Sequence, residues 1–348
     1  MAYTDIDDPT IYFQNKIYTG NGQSGHAITF DGNSDMQPDW VWIKSRNATE
    51  TSRIYDVVRG ASKHIASNDN NAESTDTNGL TAFGSDGFTV GSGNPVNNNN
   101  KLYASWNWKA GTSFTNDASS TSVGSIDSAG SVNTDAGFSI VSFTGGGANA
   151  TIKHGLTSKP SMIIVKARGQ ASTWSVYHAS LGATKFLRLN DTNAVGTEAG
   201  WWNNTEPTAS VFSIGTNHYA NTQIAYCFSE KQGFSKFGSY IGNGQADGTY
   251  VHLGFSPAWI MRKKTSGAEN WTIHDNKRDT HNVTFKRLLA NDSGAEYDSA
   301  SNQVDLLSNG FKCRASNDGS NASGGNYIFM AFAENPFVTS TGVPATAR

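Results

Sequence analysis

The sequence predicts an all-β protein built from three tandem antiparallel β-sandwich repeat domains, of jelly-roll or lectin-like type. Three observations carry this. A nine-residue run occurs three times, as Pro38-Asp-Trp-Val-Trp-Ile-Lys-Ser-Arg46, Pro160-Ser-Met-Ile-Ile-Val-Lys-Ala-Arg168 and Pro257-Ala-Trp-Ile-Met-Arg-Lys-Lys-Thr265. The neighbours of each copy recur in the same order, which marks a repeated domain. The chain also holds 36 glycines among many Asn and Ser, the composition of short strands and turns, and no window shows clean helical periodicity.

Each nine-residue run is a proline, then large apolar or β-branched residues, then a basic end. Pro is tolerated at the first residue of a strand but not inside it, so each run reads as a strand entered through a turn. Apolar residues at consecutive positions, rather than in alternation, predict a central strand covered on both faces. Upstream lie glycine-rich turns at Tyr18-Thr-Gly-Asn-Gly22, Phe143-Thr-Gly-Gly-Gly147 and Tyr240-Ile-Gly-Asn-Gly244. Downstream come aromatic segments ending in a polar residue: Ile54-Tyr-Asp56, Trp174-Ser-Val-Tyr-His178 and Trp271-Thr-Ile-His-Asp275. On this register His178 aligns with Asp56 and Asp275. Next is a run closed by asparagine, at Asn68, Asn190 and Asn291, where Asn readily takes a left-handed turn. Gly-Phe signals follow at Gly87-Phe88 and Gly310-Phe311, and the second copy has Val211-Phe-Ser-Ile-Gly215 there. Aromatic strands close each unit, at Tyr103 to Trp108, Ile224 to Phe228 and Tyr327 to Phe332.

These signals divide the chain into residues 1–111, 135–235 and 236–348, with a Ser/Gly/Thr-rich linker at 112–134. Ile11 to Ile17 reads as an opening strand or a short docking arm. The second unit passes into the third without a linker, so those two are expected to sit rigidly together, with the first freer. Thr280 to Leu289 is the nearest approach to a helix, and the other copies do not support one.

At 348 residues each unit is long enough to bury its own core. A net charge of −3 with 16% charged residues leaves no electrostatic footprint for nucleic acid. No apolar run is long enough to cross a membrane, and the opening residues lack a secretory signal. Cys227 and Cys313 are too few for a disulfide framework and read as buried thiols.

Catalytic motifs are not evident: there is no Gly-x-Ser-x-Gly elbow, His-Glu-x-x-His or phosphate-binding loop. Asp56 with Arg59, and Asp275 with Arg278, form Asp-x-x-Arg pairs, read as surface or turn salt bridges in preference to a ligand grip. Asn68 to Asn71 and Asp5 to Asp8 are oxygen-rich but lack a calcium-loop spacing, so neither a metal nor a cofactor is expected. Gly200-Trp-Trp-Asn-Asn-Thr205 carries the one candidate binding site. Trp201 and Trp202 with Asn203 and Asn204 are the materials of glycan contact, ring faces beside amides; the competing reading has the tryptophans plugging the sandwich end. Glu198, Glu206 and Asp191 are loose candidates for a glycosidase pair.

The repeat set resembles a family of virion structural, tail-fibre-like proteins from marine bacteriophages such as those of cyanobacteria. The resemblance rests on Tyr12-Phe-Gln, Pro38-Asp-Trp-Val-Trp-Ile-Lys, Asp135-Ala-Gly-Phe-Ser-Ile-Val, Tyr226-Cys-Phe-Ser-Glu-Lys, Phe237-Gly-Ser-Tyr-Ile-Gly-Asn-Gly, Leu307-Ser-Asn-Gly-Phe-Lys and the Pro344-Ala-Thr-Ala-Arg end. It implies a non-enzymatic virion component, made in a host cytoplasm and mounted on a tail fibre or appendage beside other virion proteins. It further implies homo-oligomeric, trimeric assembly and adhesion to a bacterial surface glycan or receptor. A capsid decoration protein and a polysaccharide-degrading tail spike are the alternatives.

Overall fold

An unbroken apolar run gives a strand that must be covered on both faces, and all three copies form one. In the computed structural model, which describes residues 2–344, the strands are Trp40–Ser45, Met162–Ala167 and Phe255–Lys264. All are buried throughout except Lys264. Ala345 to Arg348, the end of the last quoted motif, lie outside the described residues. The third strand begins before its proline, and Pro257 sits at a register shift against the neighbouring strand, a bulge that accommodates its missing N–H.

Around these strands the same sheet is laid down three times. In the first unit the order is Phe13–Thr19, Leu102–Trp108, Trp40–Ser45, Arg53–Asp56. In the second it is Phe138–Thr144, Thr222–Phe228, Met162–Ala167, Ser175–His178, and in the third Ser235–Ile241, Asn326–Pro336, Phe255–Lys264, Thr272–Asp275. All the pairings are antiparallel, and the register places Asp56 opposite Trp40, His178 opposite Met162 and Asp275 opposite Trp259. A smaller outer sheet covers each: His26–Thr29, Gly87–Val90 and Leu80–Gly84 in the first unit, Ala150–Lys153 and Val211–Ile214 in the second, Tyr250–His252, Gly310–Cys313 and Val304–Leu307 in the third.

Period-two alternation then decides which core each side chain enters. Val41 and Ile43 face the sandwich core of their own unit, as do Ile163 and Val165. Trp40, Trp42, Met162 and Ile164 point the other way, into a core shared with Trp259 and Met261 of the third unit. There Trp40 stacks on Tyr226 with ring centroids 4.7 Å apart, Trp108 meets Trp259 edge-on at 5.6 Å, and Phe228 meets Phe332 at 6.1 Å. The three inner sheets are thus three walls around one aromatic centre. Such ring pairs contribute about 0.5–1.5 kcal/mol each beyond the area they bury.

This arrangement corrects the expected linker. Thr112–Asn116 and Ser128–Asn133 are strands added to the rim of the second sheet beside Phe138–Thr144, with the helical turn Ala118–Thr121 between them. Their Ser/Thr/Gly composition reflects a half-exposed sheet edge rather than a flexible tether. The first unit is not freer than the others, because its tryptophans are shared with both. Of the two readings of Ile11 to Ile17 the opening strand fits, as Phe13–Thr19; the docking contacts come from earlier residues, Tyr3 donating to the Gly254 carbonyl at 2.7 Å and Thr4 to that of Gln232 at 2.8 Å. The helix-like stretch ends in the strand Lys286–Leu289.

Candidate functional site

The structure places the two predicted tryptophans inside the molecule. Trp201 and Trp202 lie on the four-residue helix Ala199–Trp202 and are 8% and 1% exposed. Trp201 packs on Phe186 at 5.1 Å and donates its Nε1 to Glu198, and Trp202 meets Tyr177 edge-on at 5.9 Å. Neither ring offers a face to a sugar, so the glycan platform is replaced by a plug in the sandwich of the second unit. Asn203 and Asn204 remain exposed, at φ of 50° and 48°, as the turn that ends the helix. Backbone geometry accounts for them, since Asn tolerates the left-handed region better than most residues.

The chemistry-bearing residues gather instead at three seams where the units meet. Each central strand carries a lysine toward its basic end: Lys44, Lys166 and Lys263, all fully buried. Each reaches across to a backbone carbonyl of the next unit, just beyond that unit's recurring asparagine: Lys44 to Asp292, Lys166 to Asn70 at 3.4 Å, and Lys263 to Thr192 at 3.1 Å. The first unit therefore grips the third, the second grips the first, and the third grips the second. Backbone bonds repeat the cycle. Arg46, Arg168 and Thr265 accept through their carbonyls from the N–H groups of Glu296, Glu73 and Val195. Burial lowers all three lysines from their ordinary value to about 8. Asn68, Asn190 and Asn291 hold the gripped loops, their side chains accepting from the N–H of Ser52, Trp174 and Trp271.

Two seams carry a buried ionic chain. Arg278 pairs with Asp275 at 2.6 Å and with Glu296 at 3.2 Å, and Glu296 also binds Arg46 of the first unit at 2.9 Å. Arg59 likewise pairs with Asp56 at 2.5 Å and Glu73 at 3.5 Å, and Glu73 binds Arg168 of the second unit at 2.8 Å. A donor from the neighbouring unit completes each: Trp106 Nε1 to Asp275, Tyr226 hydroxyl to Asp56. Burial pushes the Asp275 carboxyl up, but Arg278 and its hydrogen bonds hold it below its usual range. The Asp-x-x-Arg pairs do sit at turns, as expected. They are not surface pairs, because the neighbouring unit covers them completely.

The third seam replaces the whole set together. His178 stands where the others have Asp, Leu181 where they have Arg, Val195 where they have Glu, and Thr265 where the gripping unit has Arg. Met330 takes the place of Trp106 and Tyr226, opposite Met261 in the ladder. With no donor arriving, an aspartate here would be stranded. His178 instead accepts at Nδ1 from the Ser180 N–H and donates from Nε2 to the Phe329 carbonyl at 3.2 Å. Those bonds define a neutral ring, and burial lowers its pKa to about 4.

Residues 8–336 match a family described as a domain of unknown function (DUF7483). The chain belongs to that family. No curated protein and no solved structure matches it. The DUF7483 match spans all three units, so the seams lie inside it rather than between separate modules.

The remaining candidates within the DUF7483 domain serve the fold. Glu206 accepts from the Tyr177 hydroxyl, the Ala183 N–H and Lys159. Burial raises its pKa, but the Lys159 and Tyr177 bonds outweigh that and hold it below the usual range, the wrong direction for a general acid. Glu198 is bound to Trp201, and Asp191 caps its own loop at Asn193. Asp8 caps a short 3-10 helix and Asp69 binds Asn71, and among the described residues no three metal-ligating side chains cluster. Cys227 and Cys313 are buried free thiols. The lysines and Glu73 and Glu296 escaped the sequence reading. The available signal was the recurrence of the lysine at one register position in every copy, and of the glutamate in two copies with Val195 in the other.

Proposed function

We propose that this chain is a non-enzymatic bacteriophage virion structural protein, carried on a tail fibre or similar appendage where it takes part in adhesion to the host surface. The observation that carries the reading is the set of seams. Buried lysines, ionic chains and shared tryptophans lock three repeated sandwiches into one stiff body, while the glycine-rich turns at 21–25, 146–149 and 243–247 stay largely exposed. A stiff body with three outward ends suits repeated weak contacts that add through effective concentration. The motif resemblance described above supports the virion setting, and with it the association with other virion proteins and with further copies of the chain. The interdependence of the units also suits the second reading, a capsid decoration protein, because a compact block of this kind covers a lattice as readily as it extends a fibre.

Electron microscopy of intact particles with a gold-labelled antibody to this protein decides between them. Label on the tail or its appendages is the expected result. Label spread over the head replaces the fibre with decoration, and particles without label end both readings.

A further inference from the structure

The three seams supply their own internal comparison, and one of them departs from the other two. Asn15 stands opposite Trp106 in its ladder; the same position holds Ile140 opposite Tyr226 in the second unit and Phe237 opposite Met330 in the third. On the receiving side, Asn276 follows Asp275 where Val57 follows Asp56 and Ala179 follows His178. The N–H groups of Asn276, Val57 and Ala179 make the same backbone bond, to Ala258, Asp39 and Ser161, which fixes the equivalence. Two seams are therefore sealed by hydrocarbon at this point. The seam between the first and third units is lined by amides.

This seam also opens. A cavity of about 250 Å³ lies there, bounded by Asn15, Asn276, Asp31, Asn33, Asn335 and Ala258 among others. Asn15 is 5% exposed; its Nδ2 donates to the Ala258 carbonyl at 2.9 Å and to Asn276 at 3.2 Å, while its Oδ1 is buried without a partner among the described residues. A buried carbonyl oxygen left unpaired is costly, and a donor that reaches it removes that cost. At the rim Asp31 is bridged by Lys277 at 3.0 Å and Lys16 at 3.3 Å, and Glu334 adds a second carboxylate to the same wall. Gly32 belongs to the same wall; its N–H bonds the Gln14 side chain, and a Cβ there would come within 2.5 Å of that amide oxygen.

From this asymmetry we infer that the seam between the first and third units is a binding site for a single hydroxyl-rich ring, a monosaccharide unit. A shift of the Asn15 side chain gives Oδ1 one of the ligand's hydroxyls, and the ligand must meet exposed amides at Asn33 and Asn335 that both donate and accept. Vicinal hydroxyls do both. Charged ligands fit less well, because the wall already balances both signs, Lys16 and Lys277 against Asp31 and Glu334. The volume falls below the roughly 300–1,000 Å³ of sites for drug-sized molecules, so one ring enters and a longer glycan extends outward. The use of such a site as a receptor contact rests on the adhesion reading; the binding itself does not.

The test uses the full chain and saturation-transfer NMR with titration calorimetry. The probes are the methyl glycosides of glucose, galactose, mannose and N-acetylglucosamine, with glycine as a charged control. At least one glycoside is expected to bind. Asn15→Ile with Asn276→Val copies the second seam, so it should weaken that binding roughly tenfold or more while the melting temperature holds or rises. Asn33→Ala, at the exposed rim, should weaken binding without touching the packing and keeps the test open if the double variant fails to fold. The inference is overturned if no glycoside binds, if glycine binds instead, or if binding survives both variants. Virion labelling with no glycoside binding sinks this site and spares the appendage reading; glycoside binding by a protein absent from virions does the reverse.

Discussion

Trp106 donates its indole N–H to Asp275 across 3.0 Å, although 169 residues separate them in the chain. Tyr226 makes the corresponding bond to Asp56 at 2.7 Å. Both carboxylates are buried beside an arginine that has no route to water, so the pair stands or falls as a set.

Removing one charge from such a set leaves the other buried and unpaired. Asp275→Asn is expected to cost roughly 3–5 kcal/mol, and Asp56→Asn a similar amount. His178→Gln, in the uncharged seam, should cost about 1–2 kcal/mol, the scale of a neutral hydrogen bond. Urea unfolding midpoints order the three variants, and equal losses at all three positions would mean that the ionic chains carry no special weight.

The lysines set a dependence on pH. In the folded chain Lys44, Lys166 and Lys263 lose their protons near pH 8, because burial lowers them to about 8. Unfolded lysines keep theirs to about 10.4. Between those values the unfolded state binds more protons, so stability rises with pH, and below pH 8 this contribution is flat. Above about pH 10 the buried Tyr18 and Tyr226, whose pKa values burial raises, reverse the trend. Urea midpoints measured from pH 7 to 10 should climb, and Lys166→Met should flatten the climb. A steady fall over that range contradicts the lysine assignment.

Trp202 is 1% exposed, so Trp202→Ala removes a plug and leaves a cavity. Losses of about 3–5 kcal/mol are typical of such truncations. Calorimetry should show a lowered melting temperature in the absence of any ligand. An unchanged melting temperature would return the ring to the surface.

Cys227 and Cys313 are both buried, and burial pushes the Cys227 thiol up, away from the reactive thiolate. A chromogenic disulfide reagent should leave both untouched in the native protein and titrate two thiols in denaturant. Fast native reaction would show that the centre opens readily.

The strands were legible in the sequence and the seams were not. A proline and a run of Trp, Ile and Val announce a strand buried on both faces, because nothing else tolerates so much hydrocarbon without alternation. Lys44 and Lys166 at the ends of those runs look like solvated termini, since the residues that bury them come from another copy. The alignment of Asp56, His178 and Asp275 was visible. Only by also aligning Glu73, Val195 and Glu296 with Arg46, Arg168 and Thr265 does the joint replacement emerge as evidence of contact. Thr112 to Thr134 misled because a rim strand needs backbone partners more than apolar side chains. Gly200 and Asn203 misled because the one lies within, and the other ends, a helix one turn long that buries Trp201 and Trp202.

The mismatch among the seams has a consequence for how a chain of this kind can be built or broken. The gripping side of the third unit offers Met330 and Thr265, and the receiving side of the first unit demands a hydroxyl or indole donor and an arginine. Brought together they would strand Asp56 and Glu73. Each joint is therefore keyed, like a lock cut for one neighbour, and the three copies close into a ring in a single order. A chain with two of its units swapped in order, or two chains exchanging a unit out of turn, meets an unmatched charge before it meets the aromatic centre.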